Sequence, residues 1–275
     1  ITDSKISGAR AWGVEHLTVK ERVKKVFDAG CDQFGGESIP EVITALVNEG
    51  LLPEERIDES VKRVLRDKFI LGLFDDPYVD LEKASKIAGK PEFRRKGRIA
   101  QGKSTVLLKN DNILPLKKGT KIYVEGMYDT EALSSYGEVV SNPKDADVIV
   151  KRLRTPFDER TDSFIEKFFH QGRLYYNEEE MKDIMNVISK KPSVVIVNLE
   201  RPAILKEINN ASSALMVEFG AEDVVVADLL FGKKQPMGKM PFDLPSTWEA
   251  VLNQKEDMPF DTKDPLYSFG DGLRY

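Results

Sequence analysis

The 275-residue sequence contains one cysteine, Cys31, and two histidines, His16 and His170. A single thiol excludes an internal disulfide, and two widely separated histidines beside one cysteine offer no cluster with metal-ligand spacing, so no metal is expected. Long apolar runs are lacking as well. The longest, such as the four residues from Val194 to Val197, fall far short of the ~20 residues that cross a bilayer, so no membrane partner is expected. Charge of one sign is not in excess: 46 acidic against 41 basic side chains leave a net −5, which gives a nucleic-acid partner no electrostatic support. No GxGxxG or P-loop spacing follows any apolar run that reads as a strand, leaving a nucleotide-binding α/β protein as a weak rival reading. Internal repeats and low-complexity tracts are absent. The sequence opens on Ile1 without a basic-then-apolar leader, so a targeting segment would have to precede it, and localisation stays open.

What is present is ordinary for a globular chain, with 32% charged and 41% apolar residues and a length that suits one or two domains. Thr18 and Glu21 have the spacing of a capping box, followed by Val19, Val23, Val26 and Phe27 on one helical face that should stop at Gly30. Cys31 to Gly36 reads as a buried strand feeding a tight loop, and Ser38 with Glu41 as a second capping box opening a helix through Val47. A third helix is predicted from near Asp58, carrying Val61, Val64, Leu65 and Phe69, until Gly72 and Asp76-Pro77 break it. Residues 76–103 read as a linker ending in a basic helix around Arg94 to Lys103.

Apolar runs then restart at Val106–Leu108, Ile122–Val124, Val148–Val150, Val194–Val197 and Leu215–Val217. Helical patterns separate several of them, which predicts a mostly parallel sheet covered on both faces. Asn177 is a plausible N-cap for a helix carrying Met181, Ile184, Met185 and Ile188, with Glu178, Glu179 and Glu180 at its positive end. The Pro- and Gly-rich tail from Gly238 should be irregular apart from a short strand at Met240–Leu244.

Four stretches resemble family 3 glycoside hydrolases, and they occur in the family's order. RIDESVKRVLRDKFILGLFDDPYVD, from Arg56 to Asp80, is similar to the last barrel helix and exit linker. STVLLKNDNILPL, from Ser104 to Leu116, resembles the entry to the second domain. VEFGAEDVVVADLLFGKKQPMGKMPFDLP resembles that domain's closing helix and strand, and DPLYSFGDGLRY its ending. The resemblance implies the end of a (β/α)8 barrel over residues 1–75, a linker over 76–103 and an α/β/α sandwich over 104–275. As motifs, all four build linker and sandwich rather than touch substrate.

The resemblance further implies a retaining mechanism without a cofactor, in which one carboxylate attacks the sugar and another protonates the leaving oxygen. The family's nucleophile lies in a Ser/Thr-Asp motif commonly followed by Trp. Thr2-Asp3 offers Asp3, but Ser4 stands where Trp is usual. Members continuing as Ala9 to His16 does often carry Thr-Asp-Trp-Gly just before such a segment, and the preferred placement is therefore upstream of Ile1. Arg10, Trp12 and His16 fall on a loop at the active face of such a barrel, where they would contact sugar, or in the case of Trp12 anchor the loop. Glu37 is a candidate for hydroxyl contacts or a helix N-terminal charge, while Asp32 reads as structural. For the acid/base the window is Arg152 to Glu180, with Glu159 and Glu178 as candidates; three glutamates on a first helical turn are also explained by the helix dipole. Arg154 and His170 are candidate sugar contacts.

The expected function is hydrolysis of terminal β-linked sugars, β-glucosides first, with β-xylosides or β-N-acetylglucosaminides as alternatives and a noncatalytic carbohydrate-binding module as the rival class. The expected partners are a carbohydrate and a preceding barrel segment on the same or a separate chain. The aromatic-rich stretch from Phe164 to Leu174 is where a homodimer would form.

Overall fold

A computed structural model describes residues 13–35, 37–159, 168–255, 258 and 260–275. The chain divides into two compact units, 1–88 and 89–275.

In the first unit, helix α1 (Val19–Asp28) starts where the sequence places it. Thr18 Oγ1 accepts from the Glu21 amide at 3.3 Å, and Glu21 returns a carboxylate oxygen to the Thr18 amide at 2.7 Å. Helix α2 (Pro40–Asn48) corrects the second expected box: its N-cap is Ile39, and no side chain caps it. Pro40 has the φ a helix requires and no N–H to satisfy, so the helix starts without Ser38. Helix α3 spans Glu54–Ile70, starting four residues before the expected Asp58. Val23, Phe27, Leu46 and Leu52 form the buried centre between these helices.

Cys31 to Gly35 form no strand, a second correction. A strand exists only where a neighbour completes its hydrogen bonds, and no strand of this unit is present among the described residues to pair with it. Arg56 instead donates to the carbonyls of Cys31 and Phe27, at 3.0 and 3.3 Å. Asp32 is structural: it accepts from Ser60 at 2.7 Å and Arg63 at 2.9 Å, and these partners, with Arg56, hold its carboxyl below the ordinary range. The apolar stripe of α3 is open, with Phe69 64% exposed and Val61 45%.

The first unit ends with helix α4 (Leu81–Ile87), and the second opens with helix α5 (Pro91–Ser104). A sheet follows, built from β1 (Val106–Asn110), β2 (Lys121–Glu125), β3 (Glu138–Val140), β4 (Val148–Arg154), β5 (Ser193–Asn198) and β6 (Ala214–Glu218). The order is β1-β6-β5-β4-β2-β3, with β1 antiparallel to β6 and all other pairs parallel. The five apolar runs are thus five of its strands. The sequence reading passed over β3, whose three residues at the sheet edge are too few to show a pattern. The expected strand at Met240–Leu244 reduces to the Leu244–Tyr267 bridge and the bonds of Met240 with Asp271 and Gly270. Pro241, lacking an N–H, cannot continue a ladder.

Strands β1, β4, β5 and β6 bury both faces, as a sheet between helices demands, while β2 and β3 toward the edge are more open. Along β5, Val194 and Ile196 pack with α6 (Glu131–Ser134) and α9 (Asp223–Leu230), while Val195 and Val197 pack with α7 (Glu178–Ile188) and α8 (Lys206–Ala211). Burying each such aliphatic side chain stabilises the fold by roughly 1.5–3 kcal/mol. The helix after β2 lies on one face and the helix after β4 on the other. Since β2 and β4 are neighbours, the winding reverses between them, the place where such sheets hold ligands outside the strands' C-terminal ends. No described helix is long and apolar enough to cross a membrane.

Candidate functional site

At that reversal the strands end on polar residues. Glu218, the last residue of β6, is 1% exposed, and a buried carboxylate is tolerated only when its lone pairs are satisfied. It accepts from Arg152 at 2.7 Å, from Asn198 at 3.1 Å and from the backbone amides of Gly220 and Ala221, both at 2.6 Å. Arg152 also donates to Asp223 at 2.5 Å and to the Ala221 carbonyl at 2.7 Å. Asp223 in turn accepts from the amides of Tyr128 and Asp129, at 2.8 and 2.7 Å. One guanidinium therefore ties β4 to β6, to the start of α9 and to the loop after β2. Burial pushes the Glu218 carboxyl up, but the Ala221 amide, Arg152 and the Gly220 amide together hold it below its ordinary value. Glu218 is a fixed negative charge.

The same loop needs Gly126. Its φ is 81°, and a side chain there would run into the Arg152 carbonyl. This close passage sets Tyr128 beside the end of β4.

Above the network opens a pocket of about 930 Å³. Tyr128, Arg154, His170, Asn198 and Glu200 line it over Arg152. His170 Nδ1 lies 2.8 Å from a Glu200 oxygen, and the imidazole stacks on Phe157 with ring centroids 3.8 Å apart. Arg154 donates to the Tyr128 hydroxyl and its guanidinium carbon sits 5.9 Å from that ring's centroid. Tyr176 donates to the Arg154 carbonyl at 2.7 Å, and burial pushes its phenol well up. At the rim, Arg98 is paired with Glu222 at 2.9 Å.

Of the residues the sequence singles out, Arg154 and His170 meet in this pocket. Glu159 is exposed and lines an adjoining hollow of about 590 Å³ together with Arg154 and Arg173. Arg173 clamps that region through Asp158 at 3.0 Å and Glu180 at 2.5 Å. Glu178 is exposed on the first turn of α7, where Asn177 and Glu180 form the capping box. His16 is exposed in the first unit, and Glu37 lines an apolar hollow there. Asp3, Arg10 and Trp12 lie outside the described residues. The sequence reading missed Tyr128, Arg152, Asn198, Glu200, Glu218 and Asp223. The available signal was a polar residue at the end of each apolar strand run. Among the described residues no three His, Cys, Asp or Glu side chains converge as a metal site.

The sheet order defines a doubly wound α/β domain with a polar pocket at its switch point. Residues 130–275 match the model of the glycosyl hydrolase family 3 C-terminal domain, and the chain belongs to that family. It is 45% identical to "Probable beta-glucosidase C" of Aspergillus flavus over 100% of this chain and 44% of that protein. It is 38% identical to the "Periplasmic beta-glucosidase/beta-xylosidase" of Dickeya chrysanthemi over 95% of this chain and 40% of that one. A crystal structure of the β-glucosidase from Listeria innocua in complex with isofagomine is 26% identical, with a TM-score of 0.64 over 93% of this chain and 44% of that one. The chain thus spans under half the length of these relatives.

Proposed function

We propose that the protein hydrolyses terminal β-linked sugars with retention of configuration, β-glucosides foremost. The observation that carries this reading is the match of the entire chain to a relative named a β-glucosidase at 45% identity. The pocket's donors, acceptors and exposed aromatic ring suit a hydroxylated ligand. Retention needs two carboxylates roughly 5 Å apart, a nucleophile and an acid/base. Asp3 or a residue preceding Ile1 is the nucleophile, within a (β/α)8 barrel to which residues 1–75 contribute; 76–103 is the linker and 104–275 the sandwich. Glu159 and Glu178 are the acid/base candidates, both exposed to solvent. His16, Arg10, Trp12 and Glu37 supply sugar contacts from the barrel side, and Arg154 and His170 from the sandwich. No cofactor enters such a reaction.

A 2-fluoro-β-glucoside that traps the glycosyl-enzyme tests this. Mass spectrometry should find the label on Asp3 or on a residue preceding Ile1 in the longer protein. Sugar binding without label or turnover would replace the enzyme reading with a noncatalytic carbohydrate-binding one. The name of the Dickeya relative also favours β-xylosides, and an aryl β-xyloside assayed in parallel separates the two sugars. A homodimer through the 164–174 stretch, where Phe168 and Phe169 are 66% and 58% exposed, is checked by sedimentation.

A further inference from the structure

Tyr128 combines two properties that rarely occur together. Its side chain is 83% exposed, yet the residue is pinned. The backbone amide donates to Asp223 at 2.8 Å, Gly126 fixes the loop before it, and the ring hydroxyl is held by Arg154. An aromatic ring left in water and held in one orientation gains nothing for the fold. It is pre-organised to cover something apolar and flat, and ordering costs have already been met before a ligand arrives.

The surroundings narrow the class of ligand. Carboxylates outnumber guanidinium groups around the pocket, and two of the three arginines are committed: Arg98 to Glu222, and Arg152 to Glu218 and Asp223. An anionic ligand would meet net repulsion. Neutral hydroxyl groups, by contrast, find acceptors in Glu200 and donors in Asn198 and Arg154. A pyranose ring has this duality, with C–H bonds on its faces and hydroxyls around its edge. The pocket of about 930 Å³ falls at the upper end of ligand sites, which run to ~1,000 Å³, and suits a ligand larger than a single sugar.

We propose that Tyr128 is the stacking platform for one pyranose ring of a neutral β-linked oligosaccharide, whose hydroxyls Arg154, Asn198 and Glu200 receive. This deepens the glycosidase reading by naming the residue that selects the length of the sugar, and it rests on that reading only for the claim that the bound sugar is substrate.

The test separates the two. Binding of cellobiose is followed by saturation-transfer NMR on the longer protein that carries the proposed nucleophile and on its variants Tyr128→Ala and Tyr128→Phe, and KM and kcat for cellobiose are measured on the same samples. Loss of the ring should weaken cellobiose binding and raise KM roughly tenfold, with kcat and the melting temperature unchanged. Tyr128→Phe, which keeps the ring, should bind within roughly twofold of the parent. Turnover with equal cellobiose affinity in all three proteins would overturn the platform and leave the glycosidase intact. Binding lost only in Tyr128→Ala, with no turnover in any, would keep the platform and overturn the glycosidase. A Tyr128→Ala protein that melts earlier, and whose cellobiose binding returns to the parent's on cooling, would also overturn it by making Tyr128 a structural residue.

Discussion

The two units use similar residues to different effect. Between 106 and 230 the sheet and its helices bury aliphatic side chains to 0–1% exposure on both faces, Val150, Ile196 and Leu229 among them. Among the described residues of the first unit only Val23, Phe27, Leu46 and Leu52 are buried hydrophobics, while along α3 the apolar stripe Val61, Leu65 and Phe69 stays open to solvent. That stripe recurs every fourth residue, the spacing at which α7 buries Ile184 and Ile188 in the second unit. Amphipathic spacing therefore states which face of a helix wants cover, and only a partner surface decides whether the cover exists. The second unit contains its partner surface, the sheet. The first, on the reading as part of a barrel, waits for strands that the described residues do not include.

The largest expected effect belongs to the buried network. Arg152→Ala would strand Glu218 and Asp223, whose side chains are 1% and 8% exposed, and breaking a buried pair in this way costs about 3–5 kcal/mol. Chemical denaturation followed at the sheet would read it. Next come paired truncations that compare the two units. Ile196→Ala, at 1% exposure, should cost about 2–5 kcal/mol, whereas Phe69→Ala in α3, already 64% exposed, should change stability by no more than ~0.5 kcal/mol. A large loss from Phe69→Ala would mean that the α3 face is covered after all.

Acid should act on the second unit through Glu218. Its carboxyl is held below the ordinary glutamate value of 4.5 in the fold, so the stability it lends is fully present above that pH. It is lost as pH falls below 4.5 and through the lower folded value. Melting temperatures measured from pH 7 to pH 3 should drop in the acidic part of the range, and Glu218→Gln should flatten that drop. The remaining effect is local and should be alike in both units. Thr18→Ala and Asn177→Ala each remove one capping-box side chain and should cost about 1 kcal/mol. A tenfold disparity between the two would show that helix starts, as well as cores, differ between the units.

These contrasts parallel what was legible beforehand. Five of the strands showed themselves as apolar runs, the capping box was visible as Thr18-x-x-Glu21 and the N-cap as Asn177, because local hydrogen bonds depend on local spacing. The expected cap at Ser38 gave way to Pro40, and the expected strand after Cys31 has no described neighbour to pair with. The site was half legible. Arg154 and His170 lay in a window drawn from the end of β4, but Tyr128, Asn198, Glu200, Glu218 and Asp223 come from separate strand ends that only the sheet order brings together. Arg152 marked only the start of that window and was not seen as the hub of a buried network, since burial of a charge cannot be seen from its neighbours in sequence.

Native-state hydrogen exchange resolved by peptide is the measurement that bears most directly on the difference between the units. The account predicts that amides of β4, β5 and β6 exchange only through global opening of the second unit, while those of α1, α2 and α3 exchange through much cheaper local opening, roughly 100-fold faster or more. Equal protection across both units would contradict it, because the first unit would then have a core as complete as the second.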